Sequence, residues 1–185
     1  MRLRVSLTRM KPEEPAPHAR SAPTARIWDL AESLEMPVPP DVVYAAVADV
    51  RRMKEWSPEV IWTWRRGRRF TGFNRRGGWV WFTGCRIVIA DPGREFAFDV
   101  TGFGLPIARW GYRMAPTAEG TLVTEYWHDH RRHGWRRRIA ETLGLLCTGT
   151  PAALRAERNR DGMRVTLGRL RAAVGNAGQD GEQST

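Results

Sequence analysis

The chain has 185 residues, enough for one domain with its own core, and its hydrophobic share of 42% is ordinary for a globular protein. It has no apolar run of the roughly 18 residues that a membrane-spanning helix needs, and no apolar stretch typical of a secretory signal follows its basic N-terminus. These observations argue against an integral membrane protein and predict a cytoplasmic location. The net charge of +10 is nearly all arginine, because lysine occurs only at Lys11 and Lys54.

The two ends of the chain have the composition of disordered segments. Residues 1–25 contain four prolines among charged and small residues, and residues 175–185 are rich in Gly, Gln, Asp and Ser. Neither stretch has enough apolar surface to pack into a core. We therefore expect a disordered lead-in, one folded domain over residues 26–174, and a disordered tail.

The folded part begins with a predicted strand over Ile27–Met36, because apolar and polar residues alternate towards its end. Two short helices are predicted next. Proline suits the first turn of a helix, and the residue before a proline avoids the helical conformation, which ends the second helix before Pro58. The residues that define the helices are Pro40, Val43, Val47 and Val50 for the first and Val50–Trp56 for the second.

Six further strands are predicted in a row, separated by short segments with turn residues. Connections this short join antiparallel neighbours, so the six strands are expected to form a meander. The one longer connection, Thr101–Pro106, is predicted to be a loop. The strands are Val60–Trp64, Phe70–Asn74, Trp79–Ala90, Glu95–Val100, Ile107–Met114 and Thr121–Asp129.

The end of the domain has helical periodicity. A first helical stretch is predicted around Trp135, Ile139, Leu143 and Leu146. Thr150 and Pro151 then have the order of an N-cap and a first helical residue. The long helix that follows is predicted to end at Gly175, and its apolar face comprises Ala152, Ala156, Asn159, Met163, Leu167, Leu170 and Val174.

This order of elements resembles the START-like (SRPBCC) superfamily, and local motifs resemble its polyketide cyclase/dehydrase-like bacterial branch. The resemblance covers about Ile27 to Val174. It rests on Pro39–Tyr44, Val47–Val50, Trp56–Glu59, Phe70, Gly72, Asn74, Arg75, Ala90–Gly93, Phe96, Phe98, Gly120, Thr121, Val123–Glu125, Asn159, Arg160, Gly162 and Met163.

The resemblance implies an α+β helix-grip fold. A seven-stranded curved antiparallel sheet would wrap around a long C-terminal helix, with two short helices after strand 1. In that superfamily the gap between sheet and helix is a cavity for a ligand, and members include lipid-transfer domains, polyketide cyclases and plant allergen-type carriers. Because the scaffold carries many activities, the resemblance implies the fold more strongly than the function.

Alternation along the strands predicts which side chains face the cavity. Apolar residues on one strand face must point inward, as Trp110, Tyr112 and Met114 do against Arg109 and Arg113. The cavity is expected to be lined with tryptophan from Trp56 at its rim to Trp127, with Glu125 as its one charged residue. The predicted ligand-binding residues are Trp56, Phe70, Asn74, Trp81, Thr83, Cys85, Phe98, Trp110, Tyr112, Glu125, Trp127, Asn159 and Met163.

Glu125 is the best candidate for chemistry, with Tyr112 beside it. Burial would raise the pKa of its carboxyl group and could make it an acid/base group or a polar anchor for a ligand. The alternative is a structural partner for an arginine or for a tryptophan N–H. Asn74, Thr83 and Asn159 have the same two interpretations, as ligand contacts or as partners of nearby backbone groups.

No cofactor or metal is predicted. His128 and His130 share a strand face, but that face is expected to point outward, and arginines surround the histidines up to His133. Cys85 and Cys147 lie in apolar segments and are expected to be free buried thiols. Motifs for phosphate binding, dinucleotide binding and a nucleophilic serine are absent.

The arginine clusters suggest a surface partner. Arg65–Arg69 and Arg75–Arg76 flank one strand and would lie at opposite ends of the sheet, and a third cluster spans Arg131–Arg138. Because the aromatic residues are expected to be buried, the sequence argues against nucleic acid, whereas peripheral contact with an anionic membrane stays open. The excess of arginine could also be purely compositional.

Three hypotheses follow. The first is a carrier or sequestering protein for a hydrophobic small molecule such as a lipid, a polyketide-like aromatic or an isoprenoid, held under a lid made by Thr101–Pro106 and the short helices. The second is a polyketide cyclase/dehydratase-type enzyme that uses the same cavity, with Glu125 or Tyr112 moving protons. The third is a basic surface module. The oligomeric state is not indicated.

Overall fold

The computed structural model describes residues 28–131, 142 and 152–182, with the side chains of the final helix described from 154 to 176. Seven strands precede that helix, and two helices and a 3₁₀ turn lie between the first and second strands. In chain order the elements are β1 (Asp29–Met36), α1 (Pro40–Ala48), the 3₁₀ turn (Val50–Arg52), α2 (Met53–Trp56), β2 (Val60–Arg66), β3 (Arg69–Arg76), β4 (Trp79–Asp91), β5 (Glu95–Gly102), β6 (Leu105–Thr117), β7 (Gly120–Asp129) and α3 (Ala152–Glu182).

The strands form one antiparallel sheet in the order β1-β7-β6-β5-β4-β3-β2. The six-stranded meander is therefore as predicted, and β1 adds a seventh strand by pairing with β7, the last strand of the meander. Register shifts in β2, between Ile87 and Ile89 in β4, and near Val100 in β5 add residues to one strand of a pair, which bends and twists a sheet. The predicted curved seven-stranded sheet with a long C-terminal helix is confirmed, and β2 is left as a free edge.

Helix α3 lies against the concave side of this sheet. Its buried face is Met163, Thr166, Leu167, Leu170 and Val174, the helical spacing that the sequence predicted. The helix continues to Glu182, so the predicted end at Gly175 and the predicted disordered tail from residue 175 are wrong over that range. A glycine ends a helix by adopting a positive φ, and Gly175 does not do so.

The predicted loop Thr101–Pro106 is also wrong, because β5 and β6 pair through to Gly102 and Leu105. Only Phe103 and Gly104 remain as the turn, with φ of 51° and 75°. Positive φ at both central residues is the geometry of the tightest antiparallel hairpins. The connection is therefore a two-residue turn and not a loop.

The inner sheet face forms the core, as alternation predicted. Phe96, Tyr112 and Val123 are 1%, 4% and 0% exposed, and they pack with α1 and α3. The outer face differs from the prediction that the aromatic residues are buried. Trp62, Trp64 and Phe82 are exposed on that face, because β2–β4 carry aromatic residues on both faces and the helices cover only one. Trp79 at the start of β4 and Phe103 in the β5–β6 turn are exposed as well.

Several predictions lie outside the described residues: the lead-in 1–25, the helix through Trp135 to Leu146, the cap at Thr150, Cys147 and His133. Cys85, which is described, is a buried free thiol as predicted. Among the described helices, none has both the length and the apolar character needed to cross a bilayer.

Candidate ligand-binding cavity

A cavity of about 210 Å³ lies between the inner face of the sheet and α3. A single water molecule needs roughly 10–15 Å³ by the same kind of measure, so there is room for a small organic molecule. The wall is formed by β3–β7, the segment after α2, and one side of α3. Its apolar part includes Phe70, Phe98, Val100, Trp110 and Trp127.

Eleven of the thirteen predicted site residues line this cavity. Trp56 and Met163 do not. Trp56 is 1% exposed and packs inside the core near α1 and α3, and Met163 is 0% exposed beside Leu30 and Trp127. The predicted position of Trp56 at the cavity rim is therefore wrong, because the single turn of α2 directs this ring into the core. The predicted residues that line the cavity are Phe70, Asn74, Trp81, Thr83, Cys85, Phe98, Trp110, Tyr112, Glu125, Trp127 and Asn159.

Glu125 and Tyr112 form a buried hydrogen-bonded pair in the cavity wall. They are directly opposite each other on β7 and β6, and the Tyr112 hydroxyl donates to Glu125 Oε1 over 3.0 Å. Glu125 is only 3% exposed. Among the described residues, its other oxygen, Oε2, is buried without a hydrogen-bond partner. The pair therefore keeps one polar atom available to whatever occupies the cavity.

Burial raises the pKa of Glu125 to about 8, although the hydrogen bond from Tyr112 opposes part of this rise. The pKa of Tyr112 is also raised far above its ordinary value, by burial first and then by the neighbouring carboxyl group. At neutral pH the carboxyl group is thus mainly protonated. A protonated Oε2 is a hydrogen-bond donor, and a ligand carbonyl or hydroxyl oxygen is the acceptor that it lacks.

A second polar group in the wall is largely satisfied by the protein itself. The Asn74 side-chain amide donates to the Gly72 carbonyl over 3.1 Å and to the Thr83 hydroxyl over 3.4 Å. These contacts fit the structural interpretation of Asn74 and Thr83. Burial raises the pKa of the neighbouring Cys85 thiol to about 12, so Cys85 is a neutral wall group and not a nucleophile.

Four arginines also line the cavity, which corrects the expectation that Glu125 is its only charged residue. We call Arg76, Arg131, Arg155 and Arg158 the arginine end. Arg131 is held by Asp129 in a buried ion pair of 2.8 Å, and Arg76 contacts Glu59. Burial, and then repulsion by Arg131 and Arg76, lower the pKa of Arg155 to about 10. Several guanidinium groups thus converge on one region of the wall.

The sequence contained a signal for the helical part of this group that alternation along strands could not give. Arg155, the neighbouring Arg158 and Asn159, Gly162 and Thr166 occupy four positions spaced three or four residues apart, and all five residues line the cavity. They form a stripe beside the apolar stripe of α3. Arg76 and Arg131 lie at strand ends, where only the folded chain brings them to the helix.

The cavity mouth can be located from exposure. Most lining residues are buried or half-buried, but Pro58, Phe82, Phe103 and Arg158 are exposed. They come from the segment after α2, from β4, from the β5–β6 turn and from α3. The mouth therefore opens between the β4–β6 side of the sheet and α3.

Among the described residues, no group of histidine, cysteine and acidic side chains is arranged to hold a metal ion. The ring of His128 contacts Asp29 on β1 across 2.5 Å, and His130 is exposed.

Comparison with known families decides the classification. Residues 28–175 match the family described as polyketide cyclase / dehydrase and lipid transport. The chain belongs to this family. The match covers every described strand and most of α3, so the cavity is built from the family domain itself.

Solved structures of similar proteins agree with this assignment. A polyketide-cyclase-like protein from Corynebacterium glutamicum is 29% identical, with a TM-score of 0.51, over 77% of this chain and 88% of that one. The Zhui aromatase/cyclase from Streptomyces sp. R1128 is 15% identical, with a TM-score of 0.60, over 79% and 92%.

The di-domain aromatase/cyclase StfQ, from the steffimycin biosynthetic pathway, is 16% identical, with a TM-score of 0.61, over 82% of this chain and 51% of that protein. At such identities the likeness to the two aromatase/cyclases concerns the fold. A search of curated proteins gives no significant match. Membership of the polyketide cyclase / dehydrase and lipid transport family thus supports the prediction from the sequence that the chain has a fold for binding hydrophobic ligands.

Proposed function

We propose that this member of the polyketide cyclase / dehydrase and lipid transport family binds a hydrophobic small molecule in its cavity, as a carrier or sequestering protein. The observation that carries the proposal is the Glu125 carboxyl group, buried in an apolar wall with Oε2 unpartnered among the described residues. Leaving a buried polar atom unpaired costs free energy, which a ligand oxygen would recover. The ligand would be lipid-like, polyketide-like or isoprenoid, with an oxygen that reaches Glu125.

The arginine end adds a second requirement to this proposal. Its guanidinium groups converge on the same cavity, where Arg76 contacts Glu59 and Arg131 is paired with Asp129. An acidic group on the ligand would be favoured at that position, because arginine binds carboxylate and phosphate through several parallel hydrogen bonds. An amphiphile with an acidic head fits both features.

A second candidate is a cyclase or dehydratase that uses the same cavity. The pKa of about 8 favours it, because a proton donor works best when its pKa is near the working pH. Glu125 would donate its proton to a carbonyl or departing hydroxyl oxygen of a folded polyketide-like chain. Tyr112 would hold the carboxyl group in position through its hydrogen bond to Oε1.

The test is a titration of the protein with dodecanoic acid and with its methyl ester. Binding is measured by the displacement of an apolar fluorescent dye. Thr83→Phe should fill the cavity and weaken binding by about tenfold or more, because Thr83 lines it. Thr71→Phe is the matched control, since Thr71 lies on the outer face of the adjacent strand, opposite Gly84. The acid should bind more tightly than the ester. A wild-type protein that binds neither, or a Thr83→Phe variant that binds normally, would refute the proposal.

Native mass spectrometry of protein from its own host separates the two candidates. A carrier should release the same molecule from the wild type and from Glu125→Gln, which keeps the shape and a hydrogen-bond donor. A dehydratase should release a molecule from Glu125→Gln that is heavier by one water than the product found with the wild type. Thr83→Phe should release neither.

A further inference from the structure

The outer face of β2, β3 and β4 carries a row of aromatic side chains. Trp62 is opposite Phe73, and Phe73 is opposite Phe82, so the three lie side by side across the strands. Trp62 and Phe82 are 52% and 59% exposed. The row is extended by Phe103, whose ring centroid is 6.1 Å from that of Phe82. We call these four residues the outer aromatic row.

A row of arginines runs parallel to it. Arg66 is opposite Arg69, and Arg69 is opposite Arg86, on the same outer face and four residues along each strand from the aromatic row. All three arginines are exposed. Neighbouring strands are about 4.8 Å apart, so the three side chains are close enough together to contact one anionic surface at the same time. The acidic residue opposite Arg86, Asp99, is already bound to Arg109 over 2.7 Å.

Phe103 is in an unfavourable backbone conformation for a bulky residue. It has a φ of 51° in a two-residue turn, where Gly, Asn or Asp is strongly preferred, and it is 61% exposed. An exposed aromatic ring gains no core packing to offset this cost. A strained residue whose ring lies outside the core is a reason to look for a function.

We propose that the outer aromatic row and the arginine row together dock the protein onto an anionic phospholipid membrane. Tryptophan and phenylalanine rings partition into the membrane–water interface, and arginines beside them bind the phosphate groups of anionic lipids. The apolar patch between the two rows includes the exposed Trp64. The arginine row would lie at the level of the lipid head groups while the aromatic row enters the interface.

A bilayer fits this face better than nucleic acid or a second copy of the chain. The rings of Trp62 and Phe73 are packed against each other at 4.9 Å, which leaves fewer open ring faces for stacking bases. Ile61 and Val80, which are 50% and 63% exposed, add aliphatic surface that bases do not use. Two copies paired through this face would bring six exposed arginines into one interface.

The docking face adjoins the cavity mouth, because Phe82 and Phe103 belong to both. A docked protein would present the mouth close to the lipid surface, from which a hydrophobic ligand could pass into the cavity without crossing water. This last step rests on the proposed function. The docking itself rests only on the outer face and is tested separately.

The test is co-sedimentation of the full chain with vesicles of phosphatidylcholine mixed with phosphatidylglycerol, and with pure phosphatidylcholine vesicles. Phe103→Asn combined with Trp62→Ser should weaken binding to the anionic vesicles about tenfold or more, because it removes two rings that enter the membrane interface. Arg66→Gln combined with Arg69→Gln should also weaken binding about tenfold or more, since each basic side chain near such a surface is worth about fivefold in affinity. The controls are Leu122→Ser, on the outer face of β7, and Arg169→Gln with Arg171→Gln on α3. The controls should bind as the wild type does.

Phe103→Asn relieves the turn, and thermal unfolding of every variant checks that no folding defect accounts for a loss of vesicle binding. The Arg66→Gln with Arg69→Gln variant, whose positions do not line the cavity, should still bind dodecanoic acid in solution, which separates docking from the cavity. Absence of wild-type binding to the anionic vesicles would overturn the proposal, as would equal losses in the controls. Variants that lose only oligonucleotide binding or self-association would overturn it too, and would assign the face to that partner.

Discussion

Glu125 is the residue on which both candidate functions depend, and its protonation links function to stability. Its pKa is about 8 in the folded chain, against 4.5 for an unperturbed glutamate. Between these values the folded protein keeps a proton that the unfolded chain has released. The free energy of unfolding therefore falls as the pH rises through this window and levels off above it.

Replacing Glu125 by glutamine should remove this pH dependence. The Glu125→Gln variant should gain stability relative to the wild type between pH 4.5 and about 8, by on the order of a few kcal/mol, since each pKa unit corresponds to about 1.4 kcal/mol. Urea unfolding of both proteins across this range measures the difference. A constant difference would mean that the carboxyl group is already ionised in the folded state.

Tyr112→Phe is the companion variant. It removes the hydrogen bond that favours the ionised form of Glu125, so the pKa of that carboxyl group should rise further. The pH window in which the free energy of unfolding falls should then extend above pH 8. An unchanged window would show that Tyr112 does not act on Glu125.

At the scale of elements, replacing two glycines by alanine should change the stability of the protein in opposite directions. Gly111 in β6 lies so close to Tyr126 that a Cβ atom would overlap the ring, whose hydroxyl donates to Glu95 over 2.6 Å. Gly111→Ala should destabilise the protein by about 1–3 kcal/mol. Gly168 on the exposed side of α3 has open space around it, and Gly168→Ala should stabilise by about 0.5–1 kcal/mol. Thermal unfolding measures both. Equal effects would mean that helix propensity and ring packing do not decide these positions.

The elements also show which features could be predicted from the sequence. Alternation identified the inner face of β5–β7, because there the two strand faces differ clearly in polarity, as at Tyr112 and Arg113. In β4 both faces carry aromatic residues, and in β2 the two tryptophans lie on the face opposite the buried Thr63, so the sequence could not show that Trp62 and Phe82 are outside. Trp56 was misplaced because a four-residue helix is too short to have a periodicity. The convergence of Arg76 with Arg155 depends on residues far apart in the chain.

At the scale of the whole molecule, the two ends of the sheet differ in how far α3 covers them. The β1–β7 side packs against α3, and its strands contain the most deeply buried residues, such as Val123. Strand β2 is an edge with one buried residue, Thr63, whose hydroxyl donates to the Val50 carbonyl over 2.9 Å. Stability should therefore be lowest at the β2 edge.

Amide hydrogen exchange tests this gradient. Amides of β2 should exchange faster than those of β6 and β7, which are paired on both sides. A cavity ligand should slow exchange in β3 and β4, because both strands line the cavity, and leave β1 unchanged. Uniform protection across the seven strands would contradict the gradient.

The free edge at β2 has a consequence for how concentrated solutions of the protein behave. An open strand with large apolar side chains offers its unpaired backbone to a second copy, which is how ordered aggregates begin. Arg65, Arg66 and, across the turn, Arg69 give this edge a positive charge, and like charges keep two such edges apart. The arginines therefore act as gatekeepers of solubility. Polyanions neutralise these arginines and concentrated salt screens them. Under either condition, copies of the protein should associate through the β2 edge and precipitate.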